Sequence, residues 1–312
     1  MNNRTNRVVN ADLKSRVVGY YYDLGKNLVT SLRPKHWLKN CFVFAPLFFS
    51  GEFRNPQAVL AAALSFLVFS LAASAVYLMN DIFDRERDAR SPTNSHRPIA
   101  SGRISIRVAA VCAVLLVGLS LVLGWILTPA LFLITLLYVG NNLLYTLYLK
   151  TKVIADVMSI AAGFILRIVA GAVVIDVEPS HWLLICTFSL SILLGFGKRR
   201  AELLLTPEVR SVNEVYTPVK LDHMISVSVA VTLMSYMLYV ASPEVSQRFG
   251  NHHLIYTVPF VFYGIFRYIA KVQEGKCKDP VDLIYSDPVS VYNILIWGLI
   301  TLAILVRAYA FR

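Results

Sequence analysis

Long uncharged stretches, rather than short amphipathic periods, dominate the hydrophobic pattern of this chain. Residues 57–80 and 108–149 contain no Asp, Glu, Lys or Arg, and the second stretch is long enough for two membrane spans. A helix that crosses a bilayer needs about 20 largely apolar residues, and over such long uniform runs only a helix satisfies its own backbone. Further apolar runs are found at 157–175, 181–197, 223–243, 249–266 and 288–306, with a shorter one at 37–51. The pattern predicts an all-α, polytopic membrane protein with about nine transmembrane helices.

Composition and charge agree with this topology. Of the 312 residues, 56% are hydrophobic and only 16% are charged. With nine helices, the side that holds the N-terminus would carry 25 of the 30 lysines and arginines, and the opposite side would carry four. Because positive residues accumulate on the cytoplasmic side, we expect a multi-pass protein of the bacterial inner (cytoplasmic) membrane with a cytoplasmic N-terminus. Membrane topology thus explains most of the net charge of +11, and no nucleic-acid partner is predicted.

The chain divides into two unequal parts by composition. Residues 1–30 are polar and basic, without the apolar core of a signal peptide, and we expect a partly disordered cytoplasmic segment. Residues 31–312 are expected to form a single transmembrane catalytic domain embedded in the lipid bilayer. An oligomer is compatible with this pattern but is not predicted by it.

A ladder of carboxylates follows the first long uncharged stretch. Asp81, Asp84 and Asp88 are three and four residues apart, so on a continuing helix they share one face. Asn80 adds a carbonyl oxygen, and Mg²⁺ prefers such hard oxygen ligands together with substrate phosphates. The pattern predicts a binding site for a metal–diphosphate. Asn80, Asp81, Asp84 and Asp88 would be the metal ligands, and Arg97 in the loop that follows would add positive charge for the diphosphate. The alternative is a solvated helix end whose acids are balanced by neighbouring arginines.

The ladder also carries a family resemblance. The sequence NDIFDRERD at 80–88 resembles the NDxxDxxxD motif of the UbiA superfamily of intramembrane prenyltransferases. Further stretches resemble its decaprenyl-phosphate phosphoribosyltransferase branch: RPKHWLKN, NSHRPIASGRIS, YTLYLKTKVIADV, GFILRIVAGAV and GFGKRRAEL. The resemblance implies a nine-helix fold around a cytoplasm-facing cavity and an Mg²⁺-dependent transfer of 5-phosphoribose from phosphoribosyl diphosphate to a polyprenyl phosphate. The pathway it implies is lipid-linked arabinose and cell-envelope precursor synthesis.

One departure from the superfamily pattern is informative. Common UbiA enzymes carry a second Asp-rich motif in the loop between helices six and seven, where this chain reads Lys198-Arg199-Arg200-Ala201-Glu202. A cation in place of a carboxylate removes a second metal site and offers positive charge directly to a phosphate. One metal cradle with one basic cluster suits a donor that has a diphosphate at C1 and a separate phosphate at C5.

Two further places in the chain, the entrance of the first helix and a short turn between two later helices, carry candidate residues. Lys39 and Asn40 lie at the entrance of the first helix, where the resemblance implies contact with a phosphate; the alternative is an interfacial anchor. Lys150 and Asp156 flank a very short turn, and the Tyr145 hydroxyl could reach the cytoplasmic mouth. A lysine on the inner side and an aspartate at a helix start are also ordinary features, so a structural role remains the alternative there.

Arg167 lies well inside an apolar span, which is costly unless it faces a polar cavity. We expect Asp156, Gly163 and Arg167 to line one face of that cavity, with Gly163 and Gly171 allowing close helix approach. The alternative for Arg167 is a structural hydrogen bond to a polar group of another helix.

The candidate residues are assigned as follows. By resemblance, Arg97, Lys150, Lys198 and Arg199 hold phosphates, and Asp156 orients the ribose. The candidate catalytic residues are Asp81, Asp84, Asp88, Lys150 and Asp156, and the candidate substrate-binding residues are Lys39, Asn40, Arg97, Tyr145, Arg167, Lys198, Arg199 and Glu202.

Two alternative functions remain open. Prenyl transfer from a polyprenyl diphosphate to an aromatic acceptor such as 4-hydroxybenzoate predicts a second Asp-rich motif. A membrane transporter predicts polar residues at the bilayer midplane and internal repeats.

Overall fold

The computed structural model describes residues 22–205, 216–249, 253–275, 283 and 286–310, and no strand occurs among them. Residues 22–32 are helical, and the α-helices that follow are α1 (Ala45–Ser50), α2 (Pro56–Phe83), α3 (Arg85–Arg90), α4 (Ile106–Leu127), α5 (Pro129–Leu147), α6 (Ala155–Val174), α7 (His181–Leu205), α8 (Pro218–Ala241), α9 (Pro243–Phe249), α10 (Val258–Gln273) and α11 (Pro288–Ala310). Short 3₁₀-helices occupy Pro34–Phe44, Glu52–Arg54, Leu149–Thr151 and His253–Thr257. The partly disordered segment was expected at residues 1–30; residues 1–21 lie outside the described residues, and residues 22–30 are helical rather than disordered.

Eight helical segments of the described chain are long and apolar enough to cross a membrane, which confirms the all-α, multi-pass prediction. The expected first span at 37–51 is not one continuous α-helix. The 3₁₀-helix Pro34–Phe44 leads into the six-residue α1, which ends at Gly51 in the left-handed region (φ 90°). Pro34 and Pro46 lack backbone donors, and a glycine with positive φ stops a helix. The predicted count of nine spans is therefore not confirmed in the described residues.

Proline and threonine set several helix starts. Helices α2, α5, α8, α9 and α11 begin at a proline, whose fixed φ suits the first helical turn and whose missing N–H would be unpaired there. Thr128 and Thr217 cap α5 and α8 by accepting a hydrogen bond from the backbone N–H three residues on. The Thr128-Pro129 step is what divides the uncharged stretch 108–149 into two helices, as predicted.

The chain folds as two compact units. Of the described residues, unit 1 contains those within 1–37 and 70–119, and unit 2 contains those within 38–69 and 120–312. In unit 1, Leu78 of α2 packs in one buried cluster with Ile99 and Ile104 of the following loop and with Ala109 of α4. This cluster fixes the loop that carries Arg97 against the helix that carries the aspartates.

The core of unit 2 joins four of its helices. Its buried cluster includes Val157 of α6, Leu193 of α7, Leu221 of α8 and Ile265 of α10. A Cβ added at Gly195 would lie 2.5 Å from Val157 Cγ1, so α6 and α7 approach closely where Asp156 and Arg199 are found.

The close approach predicted for Gly171 is confirmed. A Cβ at this position would lie 1.9 Å from the carbonyl oxygen of Val43, and no neighbouring atom could shift far enough to accept it. The small residue therefore brings the backbone of α6 against the 3₁₀-helix that carries Asn40.

Candidate active site

The carboxylate ladder lies at the junction of α2 and α3. Asp84 separates the two helices, but the Asp84 N–H donates to Asn80 O (2.9 Å) and the Asp88 N–H donates to Asp84 O (2.8 Å). Helical spacing thus persists through the junction, and the side chains of Asp81 and Asp88 are both almost fully buried. Asp84 is more accessible and pairs with Arg87 (2.8 Å).

Two arginines neutralise the buried acids of unit 1. Arg97 Nη1 lies 2.5 Å from Asp88 Oδ2 and 3.3 Å from Asp81 Oδ1. Arg33 Nη2 lies 2.5 Å from the same Asp81 oxygen, and Asn94 donates to Asp88 Oδ1 (3.1 Å). We call Arg33, Asp81, Asp88 and Arg97 the acidic-motif network. The alternative interpretation expected a solvated helix end balanced by neighbouring arginines; the structure instead buries Asp81 and Asp88 and pairs them with Arg97 from the loop after α3 and with Arg33 from a distant segment.

Arg33 begins the stretch RPKHWLKN at the entrance of the first helix, but the sequence did not mark it as a candidate site residue. Its backbone has positive φ (53°), which is uncommon for a residue with a side chain, and its guanidinium lies 5.1 Å from the centre of the Tyr77 ring. Next to it, the Trp37 indole donates to Ser74 Oγ (2.9 Å). These contacts hold the start of the 3₁₀-helix against α2, which brings Arg33 to Asp81.

The donor set of the ladder fits Mg²⁺ chemically. Carboxylate oxygens and the Asn80 amide are hard ligands of the kind that Mg²⁺ prefers. The Arg97 guanidinium bridges Asp81 and Asp88 and so lies where a cation between these two acids would lie. In the part of the chain that the structure describes, no three His, Cys, Asp or Glu side chains are grouped to hold a metal. A metal bound between Asp81 and Asp88 would take the place that the Arg97 guanidinium occupies.

A second charged cluster lies in unit 2, at the start of α6 and the end of α7. Arg199 Nε lies 2.5 Å from Asp156 Oδ2, and its Nη1 lies 2.5 Å from Glu202 Oε2. Its Nη2 donates to the Tyr145 hydroxyl (2.9 Å). The Arg199 side chain is only 1% exposed. We call Tyr145, Asp156, Arg199 and Glu202 the Arg199 network; it brings together four residues that the sequence pointed to separately.

The segment 198–202 is helical, which corrects the expected loop between two helices. It lies in the last turns of α7 (His181–Leu205), because it contains no proline or glycine and the Arg199–Glu202 pair at i,i+3 supports the helix. Arg200 pairs with Asp222 (2.9 Å), while Lys198 is half-buried. The helix therefore points three successive cations in different directions, and only Arg199 enters the buried network.

The predicted phosphate contacts of Lys150, Lys198 and Arg199 stay predictions. Lys150 lies in the 3₁₀-helix Leu149–Thr151 and is half-buried, like Lys198. Arg199 already donates three hydrogen bonds to protein acceptors, two of them carboxylates. Its charge therefore acts first on Asp156 and Glu202.

Tyr216, which no sequence pattern marked, completes the surroundings of Asp156. Its hydroxyl donates to Asp156 Oδ1 (3.0 Å) and accepts a hydrogen bond from the Ile154 N–H (2.7 Å). Burial raises the pKa of Tyr216, and the negative charge of Asp156 raises it further. The phenol therefore keeps its proton at neutral pH and remains a donor to the carboxylate.

Arg167 forms a separate polar cluster within α6. It donates to Asn40 Oδ1 (2.8 Å), to the Gly163 carbonyl (2.7 Å) and to the Tyr138 hydroxyl (2.9 Å). Its guanidinium also lies 4.8 Å from the centre of the Tyr138 ring. This is the structural pairing that the alternative interpretation of Arg167 required, and it places Asn40 in the same cluster. Lys39, the neighbour of Asn40, is half-buried.

The chain is similar to known proteins over most of its length. Residues 41–283 match the UbiA prenyltransferase family. Decaprenyl-phosphate phosphoribosyltransferase of Corynebacterium glutamicum is 33% identical over 284 residues, which cover 88% of this chain and 85% of that protein. The protein of the same name from Mycobacterium tuberculosis is 32% identical over 283 residues, which cover 88% and 93%. A UbiA homologue from Archaeoglobus fulgidus, solved bound to GPP and Mg²⁺, shares the fold with a TM-score of 0.66 at 18% identity, over 91% of this chain and 98% of that chain.

Proposed function

Because this chain belongs to the UbiA prenyltransferase family, we propose that it transfers 5-phosphoribose from phosphoribosyl diphosphate to a polyprenyl phosphate. The C1–O bond to the diphosphate breaks, a lipid phosphate oxygen forms the new bond to C1, and diphosphate leaves with the electron pair. The observation that carries the proposal is the similarity to decaprenyl-phosphate phosphoribosyltransferases over 88% of the chain. The reaction belongs to lipid-linked arabinose and cell-envelope precursor synthesis.

The acidic-motif network is assigned to the diphosphate of the donor. Mg²⁺ held by Asp81, Asp84 and Asp88, with Asn80 assisting, supplies charge neutralisation of the leaving diphosphate when it is bound. Arg97 is the chain's own cation there. Its side chain is 28% exposed, so its N–H groups can turn from the carboxylates to phosphate oxygens, which guanidinium groups bind well.

The Arg199 network is assigned to the sugar. Asp156 is held by Arg199 on one oxygen and by Tyr216 on the other, which fixes the carboxylate in place, as an acceptor for a ribose hydroxyl must be. Lys150 and Lys198 are assigned to the remaining phosphate charges. No general base is needed, because a lipid phosphate is already ionised at neutral pH.

The site is assigned to the cytoplasmic side of the bacterial inner membrane. The excess of lysine and arginine on the side of the N-terminus supports this orientation, and phosphoribosyl diphosphate is water-soluble. The isoprenoid tail of the acceptor would lie between apolar helices in the bilayer. We expect residues 31–312 to act as one catalytic domain.

The experiment uses the purified full-length chain in detergent, with Mg²⁺, radiolabelled phosphoribosyl diphosphate and decaprenyl phosphate. We expect label to enter the organic phase and EDTA to abolish the transfer. Asp81→Asn should lower the transfer about 100-fold or more, whereas Asp222→Asn, which also removes an arginine partner, should not. Prenylation of 4-hydroxybenzoate from a polyprenyl diphosphate, without label transfer, would overturn the proposal in favour of the family's prenyl chemistry.

A further inference from the structure

The turn that leads into α6 has an unusual backbone. Ile154 has φ 68° and ψ −46°, and around it the Ala155 N–H donates to Val153 O (2.8 Å). This is a γ-turn with positive φ, a rare and strained conformation, and least suited to a β-branched residue. Ile154 is 47% exposed, so burial of this residue does not account for the turn.

The Tyr216 hydroxyl joins this turn to Asp156. It accepts the Ile154 N–H at 2.7 Å and donates to Asp156 Oδ1 at 3.0 Å. Its ring is fully buried in the cluster that contains Val157 and Leu221, and it meets the Phe196 ring edge-on at 6.5 Å. The ring is therefore fixed by packing, and a fixed hydroxyl can impose its geometry on both partners.

We propose that Tyr216 is a positioning residue: its hydroxyl fixes the Ile154 turn and one oxygen of Asp156, so that the other oxygen stays on Arg199. The inference rests on the proposed function, because it makes Asp156 the group that orients the ribose. Since the torsion that turns a carboxylate about its own axis is broad, a carboxylate held on one oxygen alone can rotate. Held on both oxygens, Asp156 presents one geometry to the sugar.

The decisive variant is Tyr216→Phe, which keeps the buried ring and removes the hydroxyl. We expect kcat to fall by roughly 10- to 100-fold, because small misplacements of an orienting group have effects of this size, with little change in the KM for the donor. The matched control is Tyr236→Phe, whose hydroxyl also has two partners, Thr257 and Trp297, but no charged one. We expect this control to keep its kcat.

A second measurement is independent of any substrate. Hydrogen exchange of peptides that cover 153–157 should be faster in Tyr216→Phe than in the wild type, because the Ile154 N–H loses its acceptor. Exchange there should not change in Tyr236→Phe. Unchanged exchange, an unchanged kcat, or a loss that appears in KM alone would overturn the proposal. Faster exchange in Tyr216→Phe with no phosphoribosyl transfer by the wild type would support the contact and overturn the proposed reaction instead.

The two contacts of the hydroxyl can be separated with Ile154→Gly. Glycine adopts positive φ readily, so it should hold the turn without help from Tyr216. If the turn matters, kcat in the double variant Ile154→Gly/Tyr216→Phe should recover several-fold relative to Tyr216→Phe. Absence of recovery would overturn the part of the proposal that concerns the turn.

Discussion

The acidic-motif network of unit 1 and the Arg199 network of unit 2 both pair arginines with carboxylates, but the arginines are partly exposed in the first and buried in the second. In unit 1 the acids are buried, whereas Arg33 and Arg97 are 23% and 28% exposed. In unit 2 the cation itself is buried, and Arg199 lies between Asp156 and Glu202. The first network takes its arginines from segments outside the helix that carries the acids, and the second takes its arginine from within α7.

This difference decides what each network can exchange. An arginine that is partly exposed regains water when it leaves its carboxylate, so another cation can replace it at a smaller cost than for a buried arginine. A buried arginine cannot leave without stranding the acids that surround it. We therefore expect unit 1 to exchange its arginines for a metal and a diphosphate, and unit 2 to keep its ion pairs throughout the reaction.

Removal of the buried cation should have the largest effect. Arg199→Met leaves Asp156 and Glu202 buried without their counterion, and we expect the free energy of unfolding to fall by about 3–5 kcal/mol. Arg97→Met should cost much less, because Asp81 keeps Arg33 and Asp88 keeps Asn94. Denaturant unfolding in detergent measures both variants. Equal losses would contradict the contrast between the networks.

Removal of one acid from unit 1 should instead affect chemistry. Asp81→Asn should lower the rate of transfer about 100-fold or more, since a group that stabilises charge in the transition state contributes on this scale. Its melting temperature should stay close to that of the wild type. Initial rates with saturating donor test this expectation, with Asp222→Asn as the control for the loss of an arginine partner. A rate near that of the wild type would exclude Asp81 from the diphosphate site.

The exchange in unit 1 should be visible in metal binding. If Arg97 occupies the place of a cation between Asp81 and Asp88, Arg97→Met should bind Mn²⁺, a spectroscopic substitute for Mg²⁺, several-fold more tightly in the absence of substrate. Arg200→Met, which frees Asp222 in unit 2, serves as the control. Titrations followed by electron paramagnetic resonance measure both. Weaker Mn²⁺ binding in Arg97→Met would show that Arg97 does not compete with the metal.

Another ion pair outside both networks, Arg267–Asp287, gives the smallest effect and serves as a reference. Asp287 pairs with Arg267 through two hydrogen bonds of 2.6 Å and accepts two more from Ser290. The Arg267 hydrogen bonds hold the pKa of Asp287 below its usual value. Because the folded-state pKa is the lower one, this stability is complete above the unfolded pKa of about 4 and is lost as pH falls toward the folded pKa.

The measurement for this reference is the melting temperature between pH 7 and pH 3. Asp287→Asn should melt a few degrees lower than the wild type at pH 7, and the difference should shrink at pH 3. A constant difference would mean that the charge of Asp287 is not what stabilises the start of α11.

Much of the fold could be predicted because its determinants are local. The long apolar runs correspond to the eight helical segments, since hydrophobicity over about 20 residues is enough to predict a span. The length of the stretch 108–149 predicted two spans, and the spacing of the acids at 80–88 predicted that they share a helix face. The shape of the first span could not be predicted, because the 3₁₀ geometry of Pro34–Phe44 depends on prolines and on contacts such as that of Trp37 with Ser74, which hydropathy does not register.

The candidate residues could be named, but their partners could not. The sequence pointed to Asp156, Arg199 and Glu202 separately, and it placed Arg199 in a loop where it would have offered its charge to a phosphate. In the structure α7 continues through this segment and turns Arg199 toward Asp156. Tyr216 and Tyr138 carried no recognisable pattern at all, because a buried tyrosine in an apolar chain is indistinguishable from core.

The sequence by itself determined that this chain is helical, spans a membrane and carries an acidic motif typical of one enzyme family. Each of these properties depends on residues that are close together along the chain. Only the tertiary structure decided which polar groups meet: Arg33 with Asp81 across 48 residues, Asp156 with Arg199 across 43, Ile154 with Tyr216 across 62 and Asn40 with Arg167 across 127. The physical reason is that a buried polar or charged group must find a partner, and distant segments that pack side by side supply it.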